Sequence, residues 1–205
     1  STSDFKSYPR NIRKDINLLK KLKVNYLYLP SYSDLFSLKV KRKIYLHKFS
    51  KDLCGKFRPK HFRGVINVIN RLLDIIKPKY ILLGKKDFQQ LYLIKKYIEK
   101  YKIKTTVIGC NTVRKENGVA YSSRNKNLSL HELNLASKVF KILRAEKKYL
   151  KRKPYFYFHK NNLLNKLKVL GVRKVEYIKC LDLKKLKKPK KSKSKFNIFI
   201  AYYLN

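Results

Sequence analysis

The sequence predicts an α/β fold, a parallel sheet with helical crossovers, joined to a smaller α+β domain. Three observations carry this. Residues 61–76 place Val65, Val68, Ile69, Leu72, Leu73 and Ile76 at i, i+3, i+4 spacing, the pattern of an amphipathic helix facing a core. The runs 80–83 and 103–108 are short and apolar, and each follows a helix-period segment, the order expected of parallel strands with right-handed crossovers. After about Val113 the character changes to a polar, turn-rich stretch, then helices, then strands.

In chain order, residues 12–22 read as a helix with Ile16, Leu19 and Leu22 on one side, and 24–29 as a strand stopped by Pro30. Pro78 ends the helix over 61–76. The strand over 80–83 shows no polar alternation and is therefore expected to be covered on both faces, with Gly84 closing it. A helix over 88–101 follows, where Asp87 and Gln90 stand at capping-box spacing. Ser129 and Glu132 repeat that spacing before a long helix over 129–150. A short helix over 162–169 and strands over 175–180 and 196–204 complete the chain. The division is expected to fall between residues 1–112 and 113–205.

Composition bounds the function. Of 205 residues, 53 are Lys or Arg and 12 are Asp or Glu, a formal net charge of +41, yet 44% are hydrophobic and 13% aromatic. That is enough apolar mass for a core and excludes a disordered basic tail. No apolar run nears the roughly 20 residues of a membrane-spanning helix, so no membrane partner is expected. Cys54, Cys110 and Cys180 are far apart, without a CxxC pair or a metal-ligand spacing. They read as reduced thiols of a cytoplasmic protein. The first ten residues are too polar for a signal peptide, and the sequence holds no Met. The chain therefore does not begin at its own start codon, and its N-terminal part is expected to be missing.

A charge of +41 first suggests nucleic acid. Against that, 42 of the basic residues are Lys and 11 are Arg, and the lysines run through every segment, whereas bidentate phosphate and base contacts favour Arg. The skew toward Lys, Asn, Ile, Tyr and Phe, with 6 Gly and no Trp, is that of AT-rich codons. A compositional origin is expected, with no nucleic-acid partner, and the run KKLKKPKKSKSK over 184–195 reads as a solvated loop between two strands. A basic RNA-binding or ribosome-associated protein is the alternative reading, and a related nucleotidyltransferase with another acceptor is a second.

Ligands of open parallel sheets bind at the carboxyl ends of strands. The turn GKKDFQQ, Gly84 to Gln90, sits there: a glycine permits close approach, helix-terminal amides receive an anion, and two lysines suit phosphate. AYSSRN over 120–125 offers two hydroxyls and a guanidinium within three residues, suited to a polyphosphate. In GKFRPKHFRGV over 55–65, Arg58 and His61 can face a ligand, while Pro59 also reads as a helix-start signal. The other histidines, His47, His131 and His159, read as structural or exposed, and no metal site is defined by the scattered acids.

Taken in order, DFKSYPRN (4–11), GKFRPKHFRGVINVINRLL (55–73), KPKYILLGKKDFQQL (77–91) and GCNTVRKENGVAYSSRNKNLS (109–129) resemble the pantothenate synthetase family, the AMP-forming pantoate-beta-alanine ligases. The resemblance covers nearly the whole chain. It implies a Rossmann-like nucleotidyltransferase domain, here incomplete at its N-terminus, and a smaller C-terminal lid-like domain with the active site between them. It also implies a two-step reaction: ATP and pantoate form pantoyl adenylate and pyrophosphate with Mg2+, then the amine of beta-alanine displaces AMP. By position, Gly84, Lys85, Lys86 and Asp87 match the ATP-binding turn, with Lys86 near the phosphates and Asp87 near the ribose. Gln90 matches a pantoate-binding glutamine, and Val113 a backbone contact to adenine. Tyr121, Ser122, Ser123 and Arg124 match the phosphate-binding loop, and Tyr8 a tyrosine near the cleft.

Three positions depart from the family: Lys85 stands for the usual Glu, Asn111 for Pro and Tyr121 for Met. The family's HxGH-type motif, with its catalytic His and first pantoate-binding Gln, precedes the block that starts here at Asp4, so the catalytic residue is not assigned within this chain. The last residues fall inside the family's final strand region. The resemblance thus implies a homodimeric cytoplasmic enzyme of coenzyme A precursor synthesis, whose ligation these 205 residues alone are not expected to complete.

Overall fold

The computed structural model describes residues 11–37, 39–153 and 155–204. Tyr8 and nearly all of the first matching block lie outside the described residues. Helices α1 (Ile12–Lys21) and α2 (Tyr32–Phe36) precede a 3-10 turn (Lys48–Lys51) and a one-turn helix α3 (Cys54–Phe57). Then come α4 (His61–Ile76), β1 (Tyr80–Gly84), α5 (Phe88–Lys100) and β2 (Thr106–Cys110). The second part comprises a 3-10 turn (Ser123–Asn127), α6 (Leu130–Arg152), α7 (Lys160–Val169), β3 (Lys174–Asp182) and β4 (Phe196–Tyr203).

Strands β1 and β2 pair in parallel, from Tyr80 opposite Thr106 to Gly84 opposite Cys110, with α5 as the crossover. Helix α4 forms where its periodicity requires, burying Phe62, Ile66 and Leu73 against Leu93, Ile94 and Tyr97 of α5. Each such side chain contributes roughly 1.5–3 kcal/mol. Strands β3 and β4 form an antiparallel ribbon that joins the cores. Leu181 packs with the α4–α5 core, Ile178 with Leu135, Val139, Leu163 and Leu167, and Cys180 with Leu150 and Phe196. Ser129 and Glu132 form the expected capping box at the start of α6. The 184–195 run does connect two strands, with its lysines exposed.

Three expectations need correction. Residues 24–29 are not a strand: Tyr26 is 93% exposed, and the amide of Val24 closes the end of α1 on the carbonyl of Leu19 at 3.1 Å. The segment has no ladder partner among the described residues. Second, β1 and β2 are covered on one face only. Ile81, Leu83 and Val107 pack on the core, whereas Tyr80, Leu82 and Ile108 are exposed. An unbroken apolar run states that neither face is polar, not that both are packed. Third, Asp87 occupies the N-cap position of α5 without a side-chain capping bond.

Glycine scarcity shows in the helix ends. After α1, α5 and α7 the chain turns identically, with paired bonds from Lys23 to Lys20 and Val24 to Leu19, Lys102 to Glu99 and Ile103 to Ile98, Gly171 to Lys168 and Val172 to Leu167. This double bond is the Schellman motif, whose turning residue is left-handed. Gly171 adopts it at φ 98°, whereas Lys23 and Lys102 adopt it at 53° and 49°, a conformation costing an L-residue about 1–2 kcal/mol. Lys102→Gly is expected to stabilise the protein by about 1 kcal/mol, raising Tm by about 2–4 °C. Thermal unfolding checks this, and an unchanged or lower Tm would contradict it.

Candidate active site

The parallel register ends both strands side by side, Gly84 opposite Cys110, so the chain leaves each at the same edge. From β1 it enters a 3-10 turn, Lys85–Asp87, and then α5. The stem of Lys85 crosses Gly109, where an added Cβ would lie 3.2 Å from Lys85 Cε and 3.2 Å from Leu91 Cδ1. Its Nζ then donates to Asn111 Oδ1 at 2.8 Å. Two of the departures noted in the sequence are therefore partners. Gly84 is extended, φ −69°, with open space where a Cβ would stand, so nothing in the protein itself demands glycine there.

Lys86 reaches the other way. Its Nζ donates to the carbonyl of Tyr121 at 3.4 Å, joining the turn after β1 to the serine-arginine loop. That carbonyl is carried by a tight hairpin in which Arg114 bridges Ala120 and Lys115 N–H bonds Val119 O at 2.9 Å. The amide of Tyr121 bonds the carbonyl of Val113 at 3.1 Å. Ser137 of α6 ties the hairpin down by donating to Asn117 O at 2.6 Å. Gly118 turns it at φ 88°, and an added Cβ there would stand 2.3 Å from Phe140 Cδ1. Arg114 stacks on the Phe140 ring, 4.0 Å from its centroid, and burial lowers its pKa.

Around these loops lies a cleft of about 780 Å3, within the range of small-molecule sites. Lys85, Lys86, Asp87 and Gln90 line it, as do Arg58 and His61. Val113 and Tyr121 are exposed and are not among its wall residues. Lys86 and Arg114 also border a second cavity of about 660 Å3, walled by Ala120 and Asn125. Ser122, Ser123 and Arg124 lie in the adjoining 3-10 turn, where Ser122 Oγ accepts the amide of Arg124 at 3.3 Å. They are wall residues of neither cavity.

The two glutamines of GKKDFQQ divide their work. Gln90 faces the cleft. Gln89 is buried and donates from Nε2 to the carbonyls of Phe49 and Asp52, both at 2.7 Å, fastening the start of α5 to the turn before α3. Sequence reasoning missed Gln89, which also lines the cleft beside Gln90 while its amide nitrogen is spent on the turn; adjacent helical residues point about 100° apart, so the two play different parts. It also missed Arg144 and Lys147, on the opposite wall with Phe140 and Leu143. Their spacing, 140, 143, 144 and 147, is one helix face and carried that signal. Six cations line the cleft, Arg58, Lys85, Lys86, Arg114, Arg144 and Lys147, against one acid, Asp87. Burial, then the charge of Arg58, lowers the pKa of His61, while Asp87 opposes. Such a cavity is built to receive a polyanion.

Gly118→Ala is expected to destabilise the protein by about 1–3 kcal/mol through left-handed strain and the clash with Phe140. A urea midpoint equal to wild type would contradict the hairpin's geometry.

The family model for pantoate-beta-alanine ligase matches residues 1–205. Pantothenate synthetase of Sulfurihydrogenibium sp. (strain YO3AOP1) is 32% identical over 208 residues, covering 100% of this chain and 74% of the relative. That of Francisella philomiragia is 36% identical over 184 residues, covering 88% and 66%. Among solved structures, pantoate-beta-alanine ligase of Francisella tularensis complexed with beta-gamma ATP and beta-alanine superposes with a TM-score of 0.76 at 33% identity, covering 100% of this chain and 70% of that one. Pantothenate synthetase of Thermus thermophilus gives 0.84 at 24% identity, covering 97% and 72%, a likeness of fold.

Proposed function

The chain belongs to the pantoate-beta-alanine ligase family, and we propose that it serves the ATP-dependent condensation of pantoate with beta-alanine through pantoyl adenylate. The observation that carries this reading is the meeting of Lys86, a wall residue of the cationic cleft, with the Tyr121 carbonyl, which joins the two loops of the sequence resemblance beside that cleft. In the first step a pantoate carboxylate oxygen bonds to the α-phosphorus of ATP, the bond to the β-phosphate oxygen breaks, and pyrophosphate leaves. In the second the amine of beta-alanine bonds to the acyl carbon and gives up a proton, the bond from that carbon to the bridging phosphate oxygen breaks, and AMP leaves with that bond's electron pair.

In this reading the chain acts by positioning and by fixed charge. Lys86 meets the triphosphate, Gln90 accepts and donates to pantoate, and Asp87, free of a capping duty, receives ribose hydroxyls. Val113 offers its backbone to adenine, and residues 121–124 close over the phosphates from the side of the hairpin. Lys85, held by Asn111, fixes the two strand ends, with residues 1–112 forming the nucleotide and pantoate domain and 113–205 the lid. Magnesium fits as a companion of ATP. Among the described residues no group of three or more His, Cys, Asp or Glu stands together, and Mg2+ is commonly held largely by substrate phosphates and water. Three free thiols support a reducing, cytoplasmic setting.

Loss of one preorganised donor from a phosphoryl-transfer site costs about 10²–10³ in rate. Lys86→Ala in the full-length protein is therefore expected to lower AMP release from ATP, pantoate and beta-alanine at least a hundredfold, with ATP binding weakened in titration calorimetry. Turnover within about twofold of wild type, or AMP release that does not require both pantoate and beta-alanine, would overturn the reading.

A further inference from the structure

The lysine-rich run between β3 and β4 is more ordered than a solvated connection requires. Its first half winds round Asp182, whose carboxylate accepts the amides of Lys184 at 2.9 Å and Lys185 at 2.7 Å. Its second half returns to the ladder through Leu183 N–H to Lys195 O at 2.8 Å. Within it Ser192 is only 8% exposed, and its hydroxyl is buried without a hydrogen-bond partner. Burying an unpaired hydroxyl costs about 1–3 kcal/mol, and such a group calls for an acceptor or donor the protein does not supply.

Ser192 borders a cavity of about 420 Å3 between this loop and α6. Lys147 and Lys151 come from α6, Lys193 and Lys195 from the loop, and Asn197 from β4, while no acid lines it. Lys147 is half-buried and donates to Asn197 Oδ1. Burial first, and then the charge of Lys151, lower its pKa, the state of an ammonium surrounded by donors and lacking a counter-charge. Among the polar side chains lining this space, only Asn197 Oδ1 and the serine hydroxyls can accept. Asn197 Oδ1 is already taken by Lys147. What the space lacks is a compact acceptor with several charged oxygens.

We propose that the cavity between α6 and the β3–β4 loop is a second anion site that binds a diphosphate group, with Ser192 and Lys193 and Lys195 as its recognition groups. Four lysines around one small, open hollow suit concentrated charge better than the single charge of a diester backbone. Lys147 and Asn197, hydrogen-bonded to each other, are wall residues of both this cavity and the cationic cleft, so the two sites lie back to back across that pair. The site stands on its own geometry, whatever reaction the cleft performs.

The test is calorimetric titration of inorganic pyrophosphate into the full-length protein at about 0.15 M salt, with the cleft saturated by ATP. Saturable 1:1 binding is expected. Lys193→Ala with Lys195→Ala should weaken it at least tenfold and leave ATP affinity within twofold. The charge-matched control, Lys184→Ala with Lys185→Ala, should leave pyrophosphate affinity within twofold, because neither residue lines the cavity. Ser192→Ala should weaken binding without lowering the free protein's Tm, since it removes an unpaired hydroxyl. Absence of saturable binding under ATP, an equal loss in the control pair, or displacement of pyrophosphate by an equimolar single-stranded oligonucleotide would each overturn the proposal.

Discussion

The site depends on one constraint, the parallel register that ends β1 and β2 at the same level, Gly84 beside Cys110. Parallel strands present their carboxyl ends on one edge, so everything that leaves them starts from neighbouring points. Lys85 exploits this by crossing Gly109 to reach Asn111. Lys86, next in sequence and turned the other way, reaches the hairpin that begins after β2. A slip of one residue between the strands would send both side chains to other partners. The α4–α5 core and the bond from Gln89 to the turn before α3 hold that register's helix in place.

Electrostatics then give the site its chemistry. Six cations against a single carboxylate make the cleft attractive to a triphosphate, and partial burial strengthens each interaction relative to water. The chain's +41 charge is a different matter from this arrangement. Most lysines are exposed, and lysine stands even at three left-handed helix ends, Lys23, Lys77 and Lys102, where glycine is the unstrained residue. That placement supports a compositional origin for the surplus. The cleft cations are distinguished by position, not by number.

Much of the fold was legible because its helices are strongly periodic: α4 spans the expected 61–76, α5 and α6 differ by a residue or two, and the Ser129 capping box forms as read. Reading failed where a local pattern had to find a distant partner. The run 24–29 has strand periodicity, but its first amide is used to cap α1. Asp87 and Gln90 have capping spacing, yet the 3-10 turn before α5 aims Asp87 elsewhere. At the candidate site, the grouping of residues 85–90 along one cleft was legible because turn chemistry is local. The far wall, Arg144, Lys147 and Asn197, was not, since α6 and the β3–β4 ribbon bring it into place from residues distant in the sequence.

The most direct measurement of the central claim is a crystal structure of the protein with a non-hydrolysable ATP analogue and pantoate. The account predicts a triphosphate within hydrogen-bond reach of Lys86 Nζ, bounded by the 121–124 loop, with pantoate against Gln90. A nucleotide bound elsewhere, or one that leaves Lys86 on the Tyr121 carbonyl and untouched by phosphate, would contradict it.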